Sequence, residues 1–143
     1  MELPLSQSLE DYLESIYMIS QAQDTVRVKD LVKRLQVRSA SVIGALRKLE
    51  DKGFVEHEHY GHIELTEMGK TEALKIYEKH RTLTRFLREI LGVDEDVSEK
   101  DACMIEHYIS DITYEKIIDF IHYIETSPSD HAAWLQSFKH REP

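Results

Sequence analysis

The sequence predicts a mainly α-helical protein: an N-terminal winged helix-turn-helix of three helices and a two-stranded wing, then an all-helical domain. Two short amphipathic segments joined by a tight turn predict the helix-turn-helix. Two short β-patterned segments predict the wing, and helical patterns fill the rest of the 143-residue chain. We therefore expect one domain over residues 1–70 and a second over residues 71–143.

The composition excludes several classes of protein. A hydrophobic content of 41% is sufficient for a core, and a single cysteine excludes an internal disulfide. The N-terminal segment carries Glu2, Glu10, Asp11 and Glu14 and has no apolar stretch, and no apolar run approaches the roughly 18 residues that span a bilayer. We expect a soluble cytoplasmic protein with no membrane partner.

Apolar spacing and capping residues predict the first three helices. Ser8 and Asp11 form a capping box for a helix that ends near Ala22. After a short second helix, a third helix has Ser39 as its cap and stops at Gly53. The apolar positions of the three helices are Leu9, Tyr12, Leu13, Ile16 and Tyr17, then Leu31, Val32 and Leu35, then Val42, Ala45, Leu46 and Leu49.

The wing and a long helix follow. Residues 54–58 and 62–65 are expected to form two strands on either side of a turn that contains Tyr60. Thr66 is then the predicted cap of a long helix that ends near Gly92.

Three further helices are predicted in the second domain. Ser98 and Asp101 form a capping box for a helix that reaches about Ser110, and two more helices cover residues 114–125 and 130–138. Their apolar content exceeds the need of so small a core, which predicts a homodimer. The residues expected at its interface are Ile109, Ile117, Ile118, Phe120, Ile121 and Tyr123.

Basic residues are concentrated in one segment. The formal net charge of -9 opposes binding to nucleic acid when it is averaged over the chain. Between Arg27 and Lys52, however, there are eight lysines and arginines and only three acidic residues. Because this segment coincides with the predicted helix-turn-helix, double-stranded DNA can be bound there while the acidic remainder points away.

The outward side of the third helix has the character of a groove-binding surface. Small and apolar residues permit close approach to DNA and contact with thymine methyl groups, and Arg47 is suited to a phosphate. The alternatives are an ordinary solvated helix face and a winged helix that binds protein. The candidate DNA-contacting residues are Arg27, Arg38, Ser39, Ala40, Ser41, Ile43, Gly44, Arg47 and Tyr60.

Two groups of potential metal ligands lie on predicted helices. Cys103, Glu106 and His107 share one helix face, and Asp11 and Glu14 share a face of the first helix. The residues alone leave alternatives open. Cys103 can be a small buried residue with Glu106 and His107 in solvent, and Asp11 can act only as part of a capping box.

Taken in order, these motifs resemble the diphtheria toxin repressor and MntR family of metal-dependent transcriptional regulators over nearly the whole chain. Residues 8–17, 48–55, 65–70, 79–81 and 101–107 carry the resemblance. It implies a DNA-binding repressor of metal homeostasis, and no enzyme. It also implies a set of metal ligands. One of them, His80, is identified by the resemblance alone. The implied ligands are Asp11, Glu14, His80, Cys103, Glu106 and His107.

The sequence departs from both branches of this family. Manganese-type members resemble it at Asp11 and Glu14 but have Glu in place of Cys103, whereas iron-type members resemble it at Cys103 and have Met in place of Asp11. Thr84 and Glu99 replace the Glu and His of an ancillary site in the iron branch. The chain also ends before the SH3-like domain that iron-type members usually add, so we expect the two-domain form.

The activating metal is accordingly open between Mn(II) and Fe(II), and Co(II) or Zn(II) can substitute. One or two ions per chain are compatible with six ligands. Since the ligands come from both halves of the sequence, we expect metal to restrict the halves to one arrangement, so that a dimer matches successive major grooves about 34 Å apart. The competing functions are a helical metal-binding enzyme or metal buffer, and a winged-helix regulator that senses a small organic ligand.

Overall fold

The computed structural model describes residues 5–58, 61–127 and 131–141. They form two compact units, one up to Tyr77 and the other from Glu78 onward. The described residues contain seven α-helices and one two-stranded antiparallel sheet. The predicted fold class, a winged helix-turn-helix with a further helical part, is confirmed.

The first helix is capped differently from the prediction. Helix α1 spans Gln7–Ala22, and the side chain of Ser6 accepts a hydrogen bond from the backbone N–H of Leu9 at 3.2 Å. The predicted capping box of Ser8 and Asp11 is wrong, because Ser8 already lies inside the helix. The predicted C-terminal end of α1 is confirmed.

A tight turn joins α2 (Val28–Leu35) to α3 (Ser39–Asp51). Gln36 ends α2 in the left-handed conformation, with φ 54° and ψ 47°, and so redirects the chain within a few residues. Ser39, the predicted cap of α3, is instead its first helical residue. Arg38 occupies the cap position and makes no side-chain cap hydrogen bond.

The wing consists of β1 (Val55–His57) and β2 (Ile63–Leu65). The strands are antiparallel, with Val55 opposite Leu65, and Ile63 also forms an isolated antiparallel bridge with Val26. This bridge attaches the wing to the segment just before α2. The predicted wing residue Tyr60 lies outside the described residues.

The long helix α4 spans Glu67–Arg85, and a π-helical turn, Phe86–Ile90, follows it directly. Thr66 caps α4 as predicted, since its hydroxyl accepts a hydrogen bond from the backbone N–H of Gly69 at 3.0 Å. Gly69 is also in close contact with the backbone carbonyl of Phe54, where a Cβ atom would collide. This glycine therefore allows the first turn of α4 to pack against the start of the wing.

The core of the first unit is formed by the inward sides of α1, α2 and α3, by the wing and by the first turns of α4. The predicted apolar positions of α1 to α3 all belong to this core or pack against it. Burial raises the pKa of the Tyr12 hydroxyl above its ordinary value, because the ionised form would lose its hydration. The buried hydrophobic residues are Leu9, Tyr12, Leu13, Ile16, Ile19, Val26, Leu31, Val42, Ala45, Leu46, Leu49, Val55, Ile63, Ala73 and Ile76.

The second unit contains α5 (Glu95–Ile105), α6 (Asp111–Thr126) and α7 (His131–Lys139). The predicted capping box at Ser98 is wrong, because α5 begins one turn earlier. The buried Ser98 hydroxyl donates instead to the backbone carbonyl of Val93 at 3.1 Å.

Helix α5 also ends earlier than predicted, at Ile105 and not near Ser110. The hydroxyl of Ser110 instead accepts a hydrogen bond from the backbone N–H of Thr113 at 3.2 Å and so caps α6. A short turn over residues 106–108 therefore separates the two helices. This turn contains two of the predicted metal ligands.

Large apolar side chains of the second unit remain exposed. Ile118, Phe120 and Tyr123 of the predicted dimer interface are among them, whereas Ile121 is 7% exposed and belongs to the interior. Its assignment to the interface was wrong, because α6 turns this residue inward. The most exposed apolar residues at the α5–α6 junction are Met104, Tyr108 and Ile112. Within the described segments, no helix combines the length and apolar character needed to cross a membrane.

Candidate metal centre and DNA-binding surface

The end of α5 brings three potential metal ligands together. Cys103 lies in the last turn of α5, and Glu106 and His107 lie in the turn that follows. Their spacing of i, i+3 and i+4 keeps them on one side of the helix. One ligand atom from each residue lies within 4.8 Å of the other two. Thiolate, carboxylate and imidazole together suit a divalent transition metal.

Two of these side chains are buried and the third is partly buried. The side chain of Glu106 is 0% exposed and that of His107 is 1% exposed, and Cys103 is of intermediate burial. The alternative in which Glu106 and His107 face solvent is therefore wrong. A buried carboxylate needs cationic or hydrogen-bonding partners to offset its lost hydration.

The partners of Glu106 are incomplete. Its Oε2 lies 2.8 Å from Nδ1 of His80. Its Oε1 lies 3.4 Å from Nε2 of His107 but makes no hydrogen bond within the described part of the chain. Buried polar atoms without a hydrogen bond are uncommon. A divalent cation bound by this carboxylate and its neighbours would supply the missing interaction, so these residues fit the predicted metal.

His80 comes from α4 and joins this group within the second unit. While its Nδ1 lies beside Glu106, its Nε2 lies 2.8 Å from Oε2 of Glu99. The helical pattern around His80 does not distinguish it from a surface histidine, and only the family resemblance predicted its role. Sequence reasoning missed Glu99 as its partner, although Glu99 precedes Cys103 by one helical turn.

The other two predicted ligands lie on α1 in the first unit. Asp11 and Glu14 are three residues apart, which places both on the same side of α1. Glu14 is only 8% exposed despite its charge, and Asp11 is of intermediate burial. Because Ser6 caps α1, the explanation of Asp11 as part of a capping box no longer applies. The role of both carboxylates as metal ligands stays a prediction.

Helix α3 presents the side chains predicted to contact DNA. Val42, Leu46 and Leu49 are buried, whereas Ile43 is 39% exposed on the outer side. Gly44 faces open space, since nothing lies within 4 Å of the position that a Cβ would occupy. The predicted DNA-contacting residues that are exposed or partly exposed are Arg27, Arg38, Ser39, Ala40, Ser41, Ile43, Gly44 and Arg47.

Arg27 is linked to the wing. One guanidinium nitrogen of Arg27 lies 3.2 Å from Nε2 of His62, and its backbone N–H donates to the Asp30 carboxylate at 2.9 Å. The contact places a cationic group beside the second strand of the wing. His62 could not be identified as the partner of Arg27 from sequence, because only the fold brings residues 35 positions apart together.

Two protein-family models match successive parts of the chain. The model described as iron dependent repressor, N-terminal DNA binding domain, matches residues 4–63. The model described as iron dependent repressor, metal binding and dimerisation domain, matches residues 66–135. The chain belongs to the iron-dependent repressor family. It is a metal-responsive DNA-binding transcriptional regulator and not an enzyme, which confirms the predicted function class.

Relatives within the iron-dependent repressor family cover most of the chain. An uncharacterized HTH-type transcriptional regulator of Methanocaldococcus jannaschii is 41% identical over 118 residues, which are 82% of this chain and 94% of the relative. The HTH-type transcriptional regulator MntR of Bacillus subtilis is 36% identical over 118 residues, which are 82% of each protein.

A solved structure of the family has a similar fold. It is described as a manganese-dependent transcriptional repressor complex with manganese, and it is 32% identical with a TM-score of 0.74. The match covers 80% of this chain and 53% of the solved one, so this chain spans about half of that structure's length.

Proposed function

We propose that the protein is a cytoplasmic repressor of metal-homeostasis genes that Mn(II) or Fe(II) activates. The proposed metal ligands are Asp11, Glu14, His80, Cys103, Glu106 and His107. The observation that carries the proposal is Glu106, a buried carboxylate whose Oε1 makes no hydrogen bond to any described residue although a thiol and two imidazoles surround it. A bound divalent cation would supply the positive charge that this group of acceptors requires.

Cys103 is the residue on which the choice of metal depends. A thiolate favours Fe(II), Co(II) or Zn(II), whereas carboxylates favour Mn(II). The other five proposed ligands are carboxylates and imidazoles, and the solved relative described above is a manganese-dependent repressor. The five carboxylate and imidazole ligands and the manganese-dependent relative favour manganese, and the thiolate leaves iron as the second candidate.

DNA recognition is proposed for the outer side of α3. Ala40, Ile43 and Gly44 would approach the base edges in the major groove, because they combine exposure with small or apolar surface. Arg47 would bind a phosphate, and Arg27 would bring charge to the backbone beside the wing. The local excess of basic residues over the helix-turn-helix supports this assignment.

We propose that a second copy of the chain covers the exposed apolar residues Met104, Tyr108 and Ile112. These residues lie within the part of the chain that matches the metal binding and dimerisation domain. Tyr108→Glu should shift the protein from dimer to monomer in sedimentation-velocity experiments. Leu91→Glu, at an exposed apolar position outside this group, should remain dimeric. A dimeric Tyr108→Glu protein would move the interface elsewhere.

The metal response tests the proposed function as a whole. The probe is a duplex selected from a random-sequence pool by the Mn(II)-loaded protein, called the operator below. Under anaerobic conditions, Mn(II) or Fe(II) should raise operator affinity by at least about tenfold over protein with chelator, which is roughly 1.4 kcal/mol. Equal affinity with chelator and with every metal tested would contradict metal activation, and would favour a regulator that senses an organic ligand.

A further inference from the structure

Glu99 contacts His80 but is not among the six proposed metal ligands. His80 lies between two carboxylates: Glu106 at 2.8 Å from Nδ1 and Glu99 at 2.8 Å from Nε2. The side chain of His80 is 14% exposed, that of Glu106 is 0% exposed and that of Glu99 is 53% exposed. One nitrogen of the ring therefore faces the buried acceptors of the proposed metal centre, and the other faces a carboxylate at its edge.

With a cation bound beside Glu106, Glu99 would select one form of the imidazole. A neutral histidine carries its hydrogen on one ring nitrogen and offers a lone pair on the other. Glu99 and Glu106 are both acceptors, so their contacts with the ring fit a hydrogen on either nitrogen. A cation held by Glu106 and Nδ1 would require the lone pair of Nδ1, and Nε2–H would then donate to Glu99. A carboxylate that holds the second nitrogen of a metal-binding histidine fixes the ring and makes it a stronger ligand.

The helix geometry supports the same role. Glu99, Cys103 and Glu106 follow the spacing i, i+4, i+7, which places them on one side of α5. His80 reaches this side from α4 and contacts both its first and its last member. Glu99 therefore lies one helical turn before Cys103, on the same side of α5, where its carboxylate can orient His80.

We propose that Glu99 is a positioning residue that orients His80 for metal binding through Nδ1. The inference rests on the proposed function, since it requires His80 to be a ligand. Glu99 itself is not assigned as a ligand, because the groups of three or more potential ligand atoms within 4.8 Å in the described chain do not include it.

The test measures metal binding by the purified protein. Glu99→Ala should lower Mn(II) affinity by about 10- to 100-fold in a chelator-competition titration, the usual effect of removing such a partner. The number of ions bound at saturation should not change. Glu99→Gln keeps an oxygen acceptor and should recover most of the affinity. Asp96→Ala removes another exposed carboxylate of α5 and should bind Mn(II) as the parent does.

A spectroscopic measurement separates orientation from general stability. In the Zn(II)-loaded protein with ¹⁵N-labelled histidine, the parent and Glu99→Gln should show a slowly exchanging Nε2–H proton on a His80 ring whose Nδ1 binds metal. Glu99→Ala should lose this proton signal through exchange with solvent. Metal on Nε2 in the parent would overturn the proposal.

Three results of the affinity measurements would overturn part of the proposal. Parental affinity in Glu99→Ala would make the contact a surface ion pair without a role in metal binding. Loss of one ion per chain in both Glu99→Ala and Glu99→Gln would make Glu99 a ligand. His80→Ala distinguishes an error in the proposed ligand set from an error in the role of Glu99. If His80→Ala binds metal as the parent does, His80 is not a ligand and the proposed ligand set is wrong. If His80→Ala loses affinity and Glu99→Ala does not, only the proposed role of Glu99 is wrong.

Discussion

Replacing Gly44 with alanine separates the stability of α3 from its proposed contact with DNA. Gly44 lies in the interior of α3, and an added Cβ would have nothing within 4 Å. Glycine is less favourable than alanine in a helix, so Gly44→Ala should raise the free energy of unfolding by about 0.5–1 kcal/mol. The same methyl group would occupy space that we assign to DNA. We expect operator affinity to fall about tenfold, or ~1.4 kcal/mol.

Urea denaturation measures the change in stability, and fluorescence anisotropy with saturating Mn(II) measures operator affinity. Gly69→Ala is the control for stability, because a Cβ at this position has no free space. It should destabilise the protein, since the added Cβ would collide with the backbone carbonyl of Phe54. Thr71→Ala on the exposed side of α4 is the control for binding, and it should leave operator affinity unchanged.

Either half of this prediction can fail separately. If Gly44→Ala binds the operator as tightly as the parent, the outer side of α3 does not approach DNA closely at this position. If Gly44→Ala is less stable than the parent, the space around Gly44 is needed for the fold and the glycine carries no information about DNA.

Three further substitutions address other parts of the account. Arg47→Ala should weaken binding to all duplexes and lower the slope of log affinity against log salt by about one unit, as expected for a lost phosphate contact; an unchanged slope would remove Arg47 from the interface. Cys103→Glu should shift the ranking of activating metals towards Mn(II) and make the metal-free protein indifferent to peroxide, whereas peroxide should inactivate the parent by oxidising the thiol. The same ranking and peroxide response in both proteins would make Cys103 a packing residue. Gln36→Gly should stabilise the first unit by up to about 1 kcal/mol in urea denaturation, because Gln36 has a left-handed backbone at φ 54°; a loss of stability would show that its side chain matters more than its backbone.

The order of helices and strands could be predicted from sequence, as could the start of α4 at its Thr66 cap, but the starts of α1 and α5 could not. The apolar periodicities of α1, α2 and α3 identified residues that form or flank the core of the first unit. The capping boxes at Ser8 and Ser98 were wrong, because a Ser-x-x-acid pattern also occurs inside helices. In both cases the helix begins before the motif.

The candidate metal centre was predictable in part. The spacing of Cys103, Glu106 and His107 along one helix is visible in sequence, but their burial depends on packing and was not. His80 lies on a different helix, and spacing along one chain segment cannot show which helices come together. The same reason explains why the contact between His80 and Glu99 was missed, since these residues are 19 positions apart.

The central claim is that Glu106 belongs to the metal centre that controls DNA binding. Glu106→Gln tests it most directly, because this substitution keeps the size of the buried side chain while removing its charge. The measurement is operator affinity as a function of Mn(II), with Glu115→Gln on the exposed side of α6 as the matched control. The account predicts a metal-dependent rise in affinity for the parent and for Glu115→Gln, and a folded Glu106→Gln protein whose weak operator binding does not respond to Mn(II). A full metal response in Glu106→Gln would contradict the account.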